Sequence, residues 1–404
     1  MYSLVQSQVV LSMTTTNSTI PSVSEFADIA PYSADEFHDK IAALVKEPGF
    51  EHAVRYIIPG VDYPAFAKQI ASAKSQKEFQ EHIMGDFLTM LEHRSTDGIS
   101  ASGIENVEPG KSYTFISNHR DIVLDASFLN LVFLRHNLPV TQIAIGNNLL
   151  ITDWITDLVK INRSFIVKRN VRKLEALSAA RQLSGYIHYT IDNSHESVWI
   201  AQREGRAKDS NDRTQESLIK MLSFAGGGDT KENLEALNLM PVAISYEYDP
   251  NDYLKVREFL LKKRDPEYKK SERDDLFSME TGLVGYKGRV HFHVGKCINE
   301  DLETCPCEQR GEAVQETCKL IDRSIHRGYY LYPINYIAYD RLENSTRFAD
   351  KYSADDLTRV NDYLSNQLAK VEVDSVTDEE AHFMEHTMLA MYANPVRNQL
   401  DASK

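Results

Sequence analysis

Between residues 113 and 298, short runs of strand-forming apolar residues alternate with stretches of helical periodicity. "YTFIS", "TQIAIG", "SFIVKR", "ESVWIAQ", "LMPVAISYE" and "GRVHFHVGKCI" read as strands. "DIVLDASFLNLVFLRHN", "LEALSAARQLSGYIHYTI" and "TQESLIKMLSFAGG" lie between them and read as helices. Parallel strands need long crossover connections, and a helix is the usual one. The alternation therefore predicts an α/β fold: a mixed, largely parallel central sheet flanked by helices.

The flanks have a different texture. Residues 1–24 are rich in Ser and Thr and read as a flexible tail. "SADEFHDKIAALV" opens with a capping-box pattern, Ser33 then Glu36, and "FAKQIASAKSQKEFQEHIMGDFLTML" is amphipathic with helical spacing. The expected organisation is a tail at 1–24, a helical region at 25–95, an α/β domain at 96–340 and a C-terminal helical extension at 341–404. The charged "LLKKRDPEYKKSERDD" reads as a solvated helix end and loop, and no internal repeat is present.

A chain of 404 residues with formal net charge −14 can bury a large core, but it lacks the basic face that nucleic acid requires. An anionic ligand would need a locally basic site against this background. All four cysteines lie in one window, Cys297, Cys305, Cys307 and Cys318. The "CPC" spacing is too close for an ordinary disulfide framework and fits none of the common zinc-ligand patterns, so four cytosolic thiols are expected. The opening "MYSLVQSQVVLSMTTTNS" lacks the basic flank and apolar core of a signal peptide. No window approaches the roughly 18 apolar residues of a membrane span. A cytoplasmic protein is expected, soluble or peripheral on a membrane face.

Four blocks sit at strand ends, where α/β proteins gather their sites. The first is "NHRDIVLD". His119 stands just after a strand and is a candidate general base. Asp121 and Asp125 are both in reach to hold the ring in one tautomer and stabilise the charge it acquires. Taken alone, His119 is as well read as a hydrogen-bonded turn residue and Asp121 as a helix cap. The second block, "INRSFIVKRN", carries Arg163, Lys168 and Arg169. The third, "AQREGRAKDSNDR", carries Arg203, Glu204, Gly205, Arg206, Lys208 and Arg213. Lys160 to Arg213 holds eleven Lys and Arg against six Asp and Glu, contrary to the trend of the chain. Guanidinium forks match phosphate oxygens, and the Glu204–Gly205 turn lets backbone approach a ligand. Any one of these cations alone is as well read as a solvated loop charge. The fourth, "LMPVAISYEYDP", is a buried strand ending in Tyr246 and Glu247.

In this order and separation, "NHRDIVLD", "RSFIVKR", "QREGRAK" and "LMPVAISYE" resemble the four blocks of the glycerolipid acyltransferases. That family includes glycerol-3-phosphate and 1-acylglycerol-3-phosphate (lysophosphatidate) acyltransferases. The resemblance covers roughly residues 100–300, and a helical region before the catalytic domain also occurs in the soluble plant-type members. The chain departs from the pattern twice: His119 to Asp125 spans six positions where the family has five, and the spacing from the Glu–Gly pair to Arg206 is one residue shorter.

The resemblance implies an O-acyltransferase of phospholipid biosynthesis, with a glycerol-3-phosphate acyltransferase-like fold. It would move a fatty acyl group from acyl-CoA or acyl carrier protein to the hydroxyl of glycerol-3-phosphate or 1-acylglycerol-3-phosphate. His119 would be the base. Asp125 would orient it, since Asp125 begins the apolar helix as the family's Asp does. Arg163, Lys168, Arg169, Glu204, Gly205, Arg206 and Lys208 would bind substrate. The resemblance implies no metal and no cofactor beyond the acyl thioester co-substrate. Its lipid product makes an anionic membrane surface an expected partner. Acylation of another lyso-lipid head group, or silent lipid binding on the same fold, are the rival readings. A protein kinase is not: "HRD" would need Asn five residues on, where Ala126 stands, and no Gly-rich loop or "DFG" accompanies it.

Overall fold

A computed structural model describes residues 23–404 apart from Glu308. Most of the expected N-terminal tail, residues 1–22, lies outside the described residues. The α/β expectation holds. Seven strands form one sheet: β1 (Ile99–Ser102), β2 (Thr114–Ser117), β3 (Gln142–Gly146), β4 (Ser164–Val167), β5 (Val198–Ala201), β6 (Leu239–Tyr246) and β7 (Val290–Val294). Their spatial order is β1-β7-β6-β2-β5-β3-β4. The five strands from β6 to β4 are parallel, while β7 runs antiparallel to β6 and carries β1 parallel to itself.

Every residue of β2 and β6 is buried. Strands covered on both faces read as continuous apolar runs, which is why these two stand out in the sequence. Their side chains still alternate between two cores. Ile116, Ile200 and Ala243 pack in one core with Leu183, Ile187 and Ile321 from two covering helices, Lys173–Asp192 and Arg310–Gly328. Phe115, Trp199, Val242 and Ile244 pack on the other face against Leu129 and Phe133 of the helix Leu124–Arg135 and Leu88 and Leu91 of Met84–Ser95.

Two additions flank the sheet. Helices Ala34–Leu44, Pro48–Ile57 and Tyr63–Ala71 share a core with Trp154 and Leu158. Ser33 and Glu36 close the first of them with reciprocal side-chain-to-backbone bonds, as their spacing predicts. At the other end Pro333–Leu342, Ala354–Leu368 and Asp378–Ala402 form a third cluster over Tyr248, Val256 and Leu260.

Two features differ from the sequence reading. β1 is not legible in the chain: Ile99–Ser102 is short and half polar, and becomes a strand only because the edge of β7 is there to pair with it. The window of cysteines is not four thiols, since Cys305 and Cys307 are joined across Pro306; Cys297 and Cys318 are free.

Candidate active site

β2 ends at Ser117, and Asn118 turns the chain out of the sheet. Its carboxamide takes over the sheet ladder: Oδ1 accepts from Ile244 N at 2.8 Å and Nδ2 donates to Ile244 O at 2.9 Å. The main chain is thereby released from pairing with β6 and turns away, carrying His119 beyond the carboxyl end of the sheet. Ser117 Oγ accepts from Trp199 Nε1 at 3.0 Å and donates to Asn118 O at 2.8 Å. The Trp199 ring meets His119 edge-on with centroids 5.8 Å apart.

Of the two aspartates, Asp125 is the one in contact with His119. Asp125 Oδ2 lies 2.8 Å from His119 Nδ1 and also accepts from Arg120 N at 2.6 Å and Asp121 N at 3.1 Å. These two amide bonds fold the 120–123 segment into a turn, so six positions of spacing still bring carboxylate and ring together. Asp121 points elsewhere. Its Oδ1 accepts from Val123 N at 2.9 Å and Leu124 N at 2.8 Å, satisfying amides at the start of a helix that begins three residues later than its sequence suggests. Burial, then the neighbouring Asp125, raise the Asp121 carboxyl above its usual range, and Lys287 opposes them. Burial in turn lowers Lys287 to about 8.

Behind the pair lies a buried polar layer. Arg120 turns its guanidinium away from the ring, 2.7 Å from Asp212, which also accepts from the Tyr329 hydroxyl. The Tyr246 hydroxyl and Asp125 Oδ1 are both buried without a hydrogen-bond partner among the described residues. They belong together electrostatically: burial first, then Asp125, push the Tyr246 phenol well above its ordinary value.

In front of the pair is an apolar cavity of about 1100 Å³. His119 lines it with Ile122 and Val123, and His119 Nε2 has no hydrogen-bond partner among the described residues. The other walls come from four directions: Phe50 and Val54 of the N-terminal helices, Ile143 and Ile145 of β3, Ala176 and Leu183 of Lys173–Asp192, and Leu276 and Leu283 of Glu272–Val284. Lys168, Arg169, Arg203 and Glu204 add charge to the lining.

The remaining predicted residues divide. Arg169 stands at the cavity, where Gly146 leaves it room: a Cβ on Gly146 would come within 2.7 Å of Arg169 Nε. Its Nε is 3.7 Å from Glu204. Lys168 also reaches the cavity but is engaged by Asp28 at 2.5 Å and Gln182 at 2.9 Å. Gly205 holds φ +68°, a turn geometry that suits glycine. Arg206 lies outside the lining; it faces Asp249 and keeps Nη1 buried and without a partner among the described residues. Lys208 is held by Glu258. Arg163 precedes β4, at the amino ends of the parallel strands, and is buried against Glu196 at 2.6 Å and Gln80 at 3.2 Å. The fold does not bring it to His119. Conversely, Arg203 sits in the lining with no ion-pair partner among the described residues, although in the sequence it is one cation among eleven. Its signal is its place directly after a buried strand.

No family model matches this chain, and no curated protein matches it. Among solved structures, the 1-acyl-sn-glycerophosphate (LPA) acyltransferase PlsC from Thermotoga maritima is similar over 71% of this chain and 95% of that chain. The identity is 12% and the TM-score 0.33.

Proposed function

We propose that this protein transfers a fatty acyl group from a thioester to the hydroxyl of a phosphorylated glycerol acceptor, glycerol-3-phosphate or its 1-acyl derivative. The observation that carries the reading is the His119–Asp125 pair at the wall of an apolar cavity: Nδ1 is held by a buried carboxylate, and Nε2 is left unpartnered. The Asp125 contact fixes the tautomer with its proton on Nδ1, which makes Nε2 the basic nitrogen.

His119 Nε2 takes the proton of the acceptor hydroxyl as the oxygen attacks the thioester carbonyl. The C–O bond forms, the carbonyl electrons move to oxygen, and Asp125 stabilises the imidazolium. Collapse breaks the C–S bond, and the imidazolium returns its proton to the departing thiolate. No acyl-enzyme is required. The cavity accepts the hydrocarbon chain, whose removal from water supplies binding energy. Arg169 and Arg203 receive the acceptor phosphate.

The test is turnover by the purified protein with labelled glycerol-3-phosphate or lysophosphatidate, each offered acyl-CoA and acyl carrier protein as donor. A lyso-lipid with a different head group serves as the rival acceptor. Loss of a general base costs about 10² to 10⁴-fold. A folded His119→Ala protein with near-normal turnover would overturn the mechanism, and absence of acyl transfer to any acceptor would favour silent lipid binding.

A further inference from the structure

The start of the helix Lys173–Asp192 is unlike the rest of the surface. Its described side chains from Arg172 to Ser178 are all exposed, so this end stands clear of the body. Leu174 is 97% exposed and Leu177 50%, three positions apart. Single exposed leucines are ordinary, but a paired, unsupported display on a free helix end is not. The same helix is part of the cavity: Ala176, Ala179, Ala180 and Leu183 line it, and Ala176 is itself exposed. Other exposed apolar residues come from segments that also wall the cavity, namely Ile151 after β3, and Phe277 and Val284 on Glu272–Val284.

Charge accompanies this apolar display. Lys168 to Arg181 carries five cations and one acid, Glu175, in a chain of net charge −14; of the five, Lys168 is paired with Asp28 and Arg169 lies beside Glu204. Arg181 is exposed and has no ion-pair partner among the described residues; Arg172 has only the exposed Glu175, 3.4 Å away.

We infer that this free helix end, with Leu174 and Leu177 as its apolar anchors and Arg172 and Arg181 as its cationic contacts, docks the protein on an anionic lipid bilayer with the cavity opening toward the membrane. The inference rests on the acyl-transfer reading only for its purpose, since docking would let an acyl chain or lyso-lipid pass between bilayer and cavity without crossing water. The docking itself follows from exposure and charge. Helices that lie at a bilayer surface combine an apolar stripe with flanking Lys and Arg. Each cation near an anionic surface raises partitioning about fivefold, and added salt screens that gain.

The experiment is flotation of the full chain with vesicles of phosphatidylcholine, alone or mixed with phosphatidylglycerol, at low and high salt. Binding is expected to the anionic vesicles at low salt and to weaken at high salt. Leu174→Ser with Leu177→Ser is expected to lower partitioning about tenfold or more. Arg172→Glu with Arg181→Glu is expected to lower it at least about twentyfold, on the anionic vesicles only. Leu357→Ser with Val376→Ser, which removes exposed apolar residues of the helix Ala354–Leu368 and of the loop before Asp378–Ala402, is expected to change nothing. All variants are expected to keep the wild-type circular dichroism spectrum, and to keep turnover on water-soluble short-chain thioesters. Vesicle binding is read without turnover, so its failure is separable from failure of the acyl-transfer reading. No binding by the wild type, binding that ignores both helix-end variants, or loss in the Leu357/Val376 control equal to that in the Leu174/Leu177 variant would each overturn the inference. Binding of an acidic carrier protein that is lost in the Arg172/Arg181 variant, with no vesicle binding, would overturn it in favour of a protein partner.

Discussion

Replacing Asp125 by asparagine is the sharpest test of the site, because the change keeps shape and removes charge. Asp125 Oδ2 accepts three hydrogen bonds, from His119 Nδ1, Arg120 N and Asp121 N, and the side chain is 1% exposed. If the new carbonyl oxygen takes the place of Oδ2, all three bonds survive and the turn is kept. What is lost is the charge facing the imidazolium of the proposed mechanism. A charge-assisted hydrogen bond contributes about 1.5–3 kcal/mol, which corresponds to a fall in kcat of roughly ten- to 150-fold. If instead the amide nitrogen faces the ring, Nδ1 must accept and the proton moves to Nε2. The base is then in the wrong tautomer, and the loss approaches the upper end of general-base effects, about 10⁴-fold. KM is expected to change little in either case, because the interaction strengthens only as the ring gains its proton. Asp121→Asn provides the contrast. It keeps the acceptor for Val123 N and Leu124 N, asparagine caps helices about as well as aspartate, and it removes a buried carboxylate that lies beside Asp125. Its turnover is expected within a few-fold of wild type. Steady-state kinetics on both variants, with circular dichroism to confirm folding, make the comparison. Greater damage from Asp121→Asn, or normal turnover by folded Asp125→Asn, would refute the assignment of Asp125 as the imidazole's partner.

The same geometry sets three more expected outcomes. Arg203→Ala is expected to raise KM for the phosphorylated acceptor about ten- to a hundredfold and to leave KM for the donor nearly unchanged; varying each substrate in turn would expose the opposite pattern. Arg163→Ala is expected to lower stability by about 1–3 kcal/mol in urea unfolding while leaving acceptor KM alone, because Arg163 pairs with Glu196 and Gln80 at the far end of the sheet. Burial, with His293 adding to it, lowers His291 to about 4. The native state therefore binds fewer protons than the unfolded chain, and this contribution to stability, complete above about pH 6.5, is lost as pH falls through about 4. His291 bonds Ser100 Oγ and Ser102 Oγ at 2.8 Å each, and His291→Gln is expected to flatten that acid limb in unfolding measured from neutral to acidic pH; an unchanged limb would refute it.

The sequence by itself determined the sheet's central strands and where the site hangs from them. β2 and β6 are buried on both faces, so each had to be a near-continuous apolar run, and such runs are visible without coordinates. The position of His119 two residues past β2 was legible for the same reason. A local pattern likewise sufficed for the Ser33–Glu36 cap, whose partners are three residues apart. Tertiary structure decided everything that depended on distant pairing. Asp121 and Asp125 were both within reach along the chain, and only the turn that hydrogen-bonds back to Asp125 separates a helix cap from a partner of the imidazole. Among the cations, parallel register sends Arg163 to the amino edge and Arg203 to the carboxyl edge, although both flank strands in similar company. β1 exists because β7 offers an edge, and the cavity exists because helices near residues 50 and 280 close over β3 and His119. Local composition records what one segment will bury; it does not record which other segment will arrive to cover it.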